Sequence, residues 1–540
     1  MNKFVKLSLT FVLLLVFAFA FTGCQEKQLT NLPKTEDKMR TYYQIFPYSF
    51  ADSNGDGIGD LNGITAKLDY IQNLGYDGLW LTPVHQSTTY HKYDVVDYYS
   101  IDKQFGTIQD YDRLVEECHK RGMTILLDLV LNHTSSQHEW FKQSAHAFTR
   151  YQEDNEYYDF YNFRRFSATE SIPGGWERYS GNVYYECPFW GEMPDLNLQN
   201  VLDNPNGKLA QEITNILRYW LIDRDIDGFR LDAVTSYFSG NPTKNTEFLT
   251  WLNKTAKSIK PDCYIVGEGS WGSPGENRTY QSSGVDSFFA FQHGYNANGT
   301  LSFAVRKGVA VYMADIDREN FAYADGGIPA TFISNHDVAR AYGISMAGAY
   351  PNNIKVINGL MAMLYGTTFS YYGDEVGMAV LSSSGENSYK DEDKRQPMPW
   401  GDEYQCKPVS GSTAGTDEQK YPLGNVQDQL EDKNSLLNYI ARANAIRRSY
   451  PAIARNVGKV VYSTRNDDLC IVAKGEGESK IFIVWNANAK DTHQIKLGDI
   501  LGVKVRMGAT LSVDINKTPK LSNNTLTIPA QSFVILEIVD

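Results

Sequence analysis

This sequence predicts an α/β fold: a (β/α)8 TIM barrel with one long insertion after its third strand, followed by an antiparallel β-sandwich. Three observations predict it. From about residue 40 to 450, short apolar strand-like runs alternate with stretches of helical period, eight times over. Between the third run and the helix near residue 207 lies a Tyr-, Asn-, Gly- and Ser-rich interval too long for an ordinary loop. After residue 451 the helical period stops, and β-branched runs between turns replace it.

The strands are expected around Tyr43–Phe46, Gly78–Leu81, Thr124–Leu129, Gly228–Leu231, Tyr264–Val266, Ser287–Phe291, Thr331–Ser334 and Thr368–Tyr371. Helices fall between them. Tyr111, Leu114, Val115 and Cys118 share one face of a helix, as do Ile213, Ile216, Leu217 and Trp220 before the fourth strand. Strand-then-helix units in series favour parallel strands closed into a barrel. The barrel is placed at residues 38–134 and 200–450, the insertion at 135–199 and the sandwich at 451–540. Val460–Tyr462, Leu469–Val472, Ile481–Val484, Thr510–Val513 and Phe533–Ile538 are the sandwich strands. Trp485 is expected in the sandwich core, with sugar binding as the alternative.

The N-terminus reads as a processing segment. Lys3 and Lys6 precede an apolar run, Leu7 to Phe21, that ends at Thr22-Gly23-Cys24. Phe21-Thr22-Gly23-Cys24 resembles a bacterial lipoprotein cleavage box. Residues 1–23 would then be the signal peptide, Cys24 the lipidated N-terminus, and 24–37 a polar tether. The alternative is an ordinary secretory peptide or an uncleaved anchor. With Cys24 set aside, five scattered cysteines remain, an odd number with no CxxC pair, so neither a disulfide scaffold nor a zinc site is expected. The formal charge of −13 argues against nucleic acid or an anionic membrane surface as partner.

Catalytic groups of such barrels sit at the C-terminal ends of the strands. Four predicted strand ends carry charge: Asp128-Leu129-Val130-Leu131-Asn132-His133, Arg230-Leu231-Asp232, Val266-Gly267-Glu268 and Ser334-Asn335-His336-Asp337. Arg230 and Asp232 alternate with Phe229 and Leu231, so they point to the other face. Alone, this pair reads as a structural ion pair; four charged ends converging on one mouth read as a site. Three carboxylates in one pocket suit glycoside hydrolysis, with one as nucleophile and one protonated as acid. Arg230 is expected to keep Asp232 ionised, whereas Glu268, with no cation beside it in sequence, is expected to titrate high. Asp337 suits hydrogen bonds to sugar hydroxyls and stabilisation of a cationic transition state.

These segments resemble the four signature regions of the α-amylase superfamily, glycoside hydrolase family 13, in order and spacing. The resemblance covers about residues 40 to 540. It implies Asp232 as nucleophile, Glu268 as general acid/base and Asp337 as the third carboxylate. It further implies that Arg230 orients the nucleophile and that His133 and His336 bind sugar hydroxyls. Tyr90-His91-Lys92-Tyr93-Asp94 is similar to a family segment, which implies that Tyr93 stacks on the central sugar, His91 bonds a hydroxyl and Asp94 supports the arginine. Met193-Pro194-Asp195-Leu196-Asn197 is similar to the family's fifth region. Its MPDLN form looks like a group between amylases proper and the oligo-1,6-glucosidase and neopullulanase branches. The long insertion then corresponds to the family's domain B. One departure stands out: Thr235-Ser236 occupy the place of a Lys-His pair in typical α-amylases.

Asp52-Ser53-Asn54-Gly55-Asp56-Gly57-Ile58-Gly59-Asp60 has oxygen ligands at alternate positions, as in an EF-hand loop, although Gly63 stands where that loop has its bidentate Glu. Asp52, Asn54, Asp56, Asp60 and the Ile58 carbonyl are the candidate ligands of one structural calcium, which the resemblance also implies; an ion-free Asp/Gly turn is the alternative. A second calcium near Asn132 is a further implication of the resemblance.

The whole reads as a retaining hydrolase of α-1,4 bonds in starch-like α-glucans and maltooligosaccharides, exported and held at the membrane only through its lipid, and monomeric. The alternatives are a secreted form, a neopullulanase-like or oligo-1,6-glucosidase-like enzyme or transglycosylase, and a non-catalytic glycan-binding lipoprotein.

Overall fold

The computed structural model describes residues 32–272, 274–294, 296–380 and 390–539. Cys24 and the segment read as a signal lie outside the described residues. Eight parallel strands form the central sheet: β1 (Thr41–Ile45), β2 (Gly78–Leu81), β3 (Thr124–Leu129), β4 (Gly228–Leu231), β5 (Tyr264–Gly267), β6 (Ser287–Phe288), β7 (Ala330–Phe332) and β8 (Thr367–Tyr371). Their order is β6-β5-β4-β3-β2-β1-β8-β7, and a parallel bridge from Phe289 to Ala330 joins the two edges. The fold is thus the (β/α)8 barrel that the alternating runs predict.

Side-chain alternation divides the strands into two cores. Tyr42, Trp80, Leu126, Tyr264, Val266, Phe289, Phe332 and Phe369 fill the barrel interior. Tyr42 stacks on Tyr264 and Phe369 with centroids 5.6 and 4.8 Å apart, so aromatic rings take the place of the usual branched aliphatic layers. Tyr43, Leu79, Ile125, Leu127, Phe229, Leu231 and Ile265 point outward to the helices. Between β4 and β5 the strands touch closely: a Cβ on Gly228 would lie 1.8 Å from the Tyr264 carbonyl oxygen, so only glycine fits there.

Both helical faces read from the sequence are buried, in Ile108–Lys120 and Lys208–Arg218. The first opens with a reciprocal capping box between Thr107 and Asp110. The second runs into a π-helical turn, Tyr219–Asp223, which carries the buried Trp220. The long insertion is more structured than its composition suggests. It holds a helix, Glu139–Thr149, capped by His138, and a three-stranded sheet of Phe163–Arg165, Val183–Glu186 and Trp176–Ser180. A hairpin of His85–Ser87 and Val95–Ile101, also absent from the sequence reading, brackets the Tyr90–Asp94 segment.

The C-terminal region is a two-sheet sandwich. Strands β9 (Lys459–Ser463), β10 (Leu469–Lys474), β11 (Ile481–Asn486), β12 (His493–Lys496), β13 (Val505–Ser512), β14 (Lys520–Ser522), β15 (Thr525–Ile528) and β16 (Ser532–Ile538) build it. Sheets β9-β10-β11-β16-β13 and β12-β15-β14 enclose Leu469, Val484, Leu526, Ile528 and Val534. The second sheet escaped the sequence reading because its strands are short and polar on one face. Trp485 is fully buried against Phe533, at 5.3 Å, as a core residue. Lys474 of β10 reaches into the barrel, where it pairs with Asp317 and donates to the Met363 and Ile453 carbonyls. All five described cysteines are buried and unbridged.

Candidate active site

The parallel register sets Asp128 of β3 and Val266 of β5 beside Arg230 of β4. Arg230 is almost fully buried at the barrel mouth and bridges three carboxylates. Its Nη1 donates to Asp128 Oδ1 at 2.8 Å and to Asp232 Oδ1 at 2.6 Å, and its Nη2 lies 3.2 Å from Glu268 Oε2. Immediately after Asp232 the chain turns through Ala233 at φ 48°, an unusual conformation for a residue with a Cβ. That turn aims the Ala233 N–H at Glu268 Oε2, at 2.7 Å.

The sequence reading left Glu268 without a cation and assigned Arg230's support to Asp94; the structure corrects both. Arg230 itself is Glu268's cation, because β4 and β5 are adjacent. Its support comes from Asp128, which also accepts from Tyr93 Oη at 3.0 Å and Trp80 Nε1 at 3.2 Å. Asp94 instead accepts from Ser87, Thr88 and Thr89 and ties down the hairpin that carries Tyr93.

Asp337 is held from two sides. His336 Nε2 lies 3.1 Å from its Oδ2, and Arg395 Nη2 donates to its Oδ1 at 2.9 Å. His336 also meets Tyr93 Oη at 2.6 Å and Gln44 Nε2 at 2.7 Å, with its ring stacked on Tyr93 at 5.5 Å. His91 stands next to Tyr93, its ring 6.0 Å away, and His133 packs against Phe189 at 5.3 Å. A cleft of about 520 Å³ is lined by His91, Tyr93, His133, Asp232, Glu268 and Asp337, together with Phe189, Trp271, Asp391 and Arg395. The last four were not singled out in the sequence. Arg395 caps the one-turn helix Asp391–Lys394 beyond β8, without a motif, and Phe189 sits among the many aromatics of the insertion.

Burial and charge divide the titrations. Burial pushes Glu268 up to about 7, opposed by Arg230 and reinforced by the Asp232 and Asp337 charges. Burial also raises Asp232; Arg230 opposes the shift without cancelling it, contrary to the simple expectation from their adjacency. Asp337 is pushed up by burial, but His336, Arg395, Arg230 and Lys394 outweigh this and hold it below its ordinary value. Burial lowers His336 to about 3 and His91 and His133 to about 4, so all three are neutral near pH 7. Burial likewise raises Asp128 to about 7 against the pull of Arg230, but Asp128 lies behind the arginine, so Glu268 is the high-titrating carboxyl that lines the cleft, as acid-assisted displacement at a sugar carbon requires.

In the loop after β1, Asp52 accepts from the Asn54, Gly55 and Gly57 N–H groups, Asn54 from Asp56 and Asp56 from Ile58, while Asp60 accepts from Ser53 and Gly63. The oxygen-only donors suit a hard divalent cation. Among the described residues, however, no three His, Cys, Asp or Glu side chains gather closely enough to hold a metal. Near the proposed second position, Asn132 Nδ2 donates to Asp195 Oδ1 at 3.0 Å, and the Thr235 carbonyl accepts from Asn245 at 3.0 Å.

Carboxylates at the C-terminal mouth of a (β/α)8 barrel, bridged by one buried arginine and rimmed by aromatics, define the class: a glycoside hydrolase. Residues 44–456 match the model of the α-amylase catalytic domain, and the chain belongs to that family. It is 32% identical over 525 residues to "Alpha-amylase 3" of Dictyoglomus thermophilum, covering 93% of this chain and 95% of the relative. It is 29% identical to an oligo-1,6-glucosidase of Parageobacillus thermoglucosidasius, covering 90% and 96%. Among solved structures, Amy13B of Eubacterium rectale superposes with a TM-score of 0.83 at 34% identity, covering 96% of this chain and all of that one.

Proposed function

We propose that this hydrolase cleaves α-1,4-glucosidic bonds of starch-like glucans with retention of configuration. The observation that carries the mechanism is the shared guanidinium of Arg230, which holds Asp232 and Glu268 on one side of the cleft while Glu268 titrates near 7. Asp232 attacks C1 as Glu268 gives its proton to the departing glycosidic oxygen, which leaves with the bonding electron pair. Glu268, now a carboxylate, takes a proton from water, and the resulting hydroxide oxygen displaces Asp232 from C1. Asp337, held ionised by Arg395, hydrogen-bonds the sugar and stabilises the positive charge that develops at the ring. Tyr93 supports the sugar face, with His91, His133 and His336 as neutral hydroxyl partners.

The similarity to "Alpha-amylase 3" favours α-1,4 bonds. Thr235-Ser236 in the cleft wall and the similarity to oligo-1,6-glucosidases favour a second reading, in which α-1,6 bonds of short oligosaccharides are cut. Products from soluble starch, pullulan and isomaltose separate the two. Maltooligosaccharides released from starch, with isomaltose left intact, support the first; cleavage of isomaltose alone overturns it. We further propose a calcium at the loop of Asp52, Asn54, Asp56, Ile58 and Asp60, which would brace that loop without entering the chemistry. Export with a lipid on Cys24, and action as a monomer, complete the proposal; a lipid tether suits an enzyme that cuts polymer outside the cell.

A further inference from the structure

Trp271 lies on the turn that leaves β5, three residues beyond Glu268. The turn is tightly fixed. Gly269 adopts φ 79°, the Ser270 N–H donates to Asn277 Oδ1 at 2.8 Å, and Asn277 Nδ2 donates to the Phe289 carbonyl at 3.1 Å. The indole stacks on the buried Phe291, with centroids 4.8 Å apart and planes 20° from parallel. Although 40% exposed to the cleft, the ring is therefore held in orientation, and its Nε1–H donates to Glu268 Oε1 at 3.0 Å.

The donors around Glu268 then decide where its proton sits. Oε2 accepts the Ala233 N–H at 2.7 Å and lies 3.2 Å from the Arg230 Nη2 cation, so negative charge is favoured on this oxygen and a proton is not. A proton there would face the Ala233 N–H and the arginine's positive charge. Oε1 meets one donor, the indole, which leaves one lone pair for the acid proton. We propose that Trp271 is a positioning residue for the general acid: its indole N–H occupies one lone pair of Glu268 Oε1 and directs the proton on the other into the cleft, toward the leaving oxygen. The proposal rests on the acid role given to Glu268. In the first step the Oε1–H bond breaks and the proton passes to the glycosidic oxygen, which leaves with the C1–O electron pair. In the second, the same lone pair of Oε1 takes the proton from water.

The test compares two leaving groups on one sugar. Trp271→Phe keeps the ring on Phe291 and removes the N–H. With an alkyl α-maltotrioside, which needs the proton, kcat/KM should fall about 10- to 100-fold. With the dinitrophenyl α-maltotrioside, whose leaving group needs none, it should fall less than about 3-fold, because general acid assistance adds little there. The alkaline limb of the pH profile should move up, since the carboxylate loses a donor. Trp271→His, which restores a ring N–H, should recover part of the alkyl activity. Equal losses on both substrates, or none on either, would overturn the proposal. Glu268→Gln, measured in parallel, separates the two claims. If it keeps full alkyl activity, the acid assignment fails; if it loses that activity while Trp271→Phe does not discriminate, only the role of Trp271 fails.

Discussion

Arg395 and Asp337 meet at 2.9 Å across 58 residues of chain, so the third carboxylate of the cleft is fixed by a side chain from beyond β8. Arg395 also donates to the His336 carbonyl at 3.1 Å and to Tyr90 Oη at 3.0 Å. One guanidinium thus joins the β7 end to the segment that carries Tyr93. Arg395→Met is expected to lower kcat/KM about 10²-fold, the scale of a small misplacement of a reacting group. It should also move the acidic limb of the profile to higher pH, because Asp337 loses a cation that holds it ionised. Unchanged activity together with an unchanged limb would show that Arg395 only packs.

Glu375 gives a pH-dependent stability prediction away from the cleft. It is buried, accepts from Tyr43 and Tyr70 at 2.5 and 2.8 Å, and burial raises it to about 7. An unfolded Glu titrates near ~4.3, so between that pH and about 7 the folded state holds the extra proton. Stability is therefore lost as pH rises through this window, and the cost is complete above it. The Tm difference between Glu375→Gln and the native chain should be more favourable to the variant at pH 8 than at pH 5. A difference independent of pH would contradict the assignment.

Lys474 and Asp317 are both fully buried where the sandwich meets the barrel. Asp317 also accepts the Tyr365 and Gly458 N–H groups at 2.7 and 2.9 Å. Lys474→Met strands a buried carboxylate and is expected to destabilise by about 3–5 kcal/mol in urea unfolding. Lys474→Met combined with Asp317→Leu should recover part of that loss. A single variant as stable as the native chain would mean that the pair is not what joins the two domains.

If calcium braces the loop after β1, removing it should lower Tm and leave kcat at 25 °C within about 2-fold, since the loop carries no reacting group. Asp56→Ala should abolish the Tm response to added calcium. A Tm indifferent to chelator and to calcium would remove the ion from the account.

The barrel was legible because its strands are apolar runs that end in charge, and Gly228–Leu231 is the clearest of them: alternation alone turns Arg230 inward, away from Phe229 and Leu231. The neighbours of Arg230 were less legible. Asp128 is visible as a charged strand end, but its contact depends on register, and only the pairing of β3 with β4 sets it beside Arg230. The adjacency of β4 and β5, not sequence proximity, brings Arg230 to Glu268. Asp94 shows the reverse case, a residue placed by its motif whose side chain bonds its own hairpin. Arg395 and Trp271 had no local signal, since one caps a single-turn helix too short to show a period and the other lies on a turn whose direction is set by Gly269 and Asn277. The sheet of β12, β14 and β15 was hidden by length, because three- and four-residue strands leave too few alternations to read.

The claim that Asp232 attacks C1 while Glu268 serves as acid and then as base is tested most directly by the anomer first released. Proton NMR during early cleavage of a maltooligosaccharide, before mutarotation, should show the α anomer growing first, and Asp232→Asn should stop its release. The β anomer appearing first would mean direct attack by water and would contradict the account.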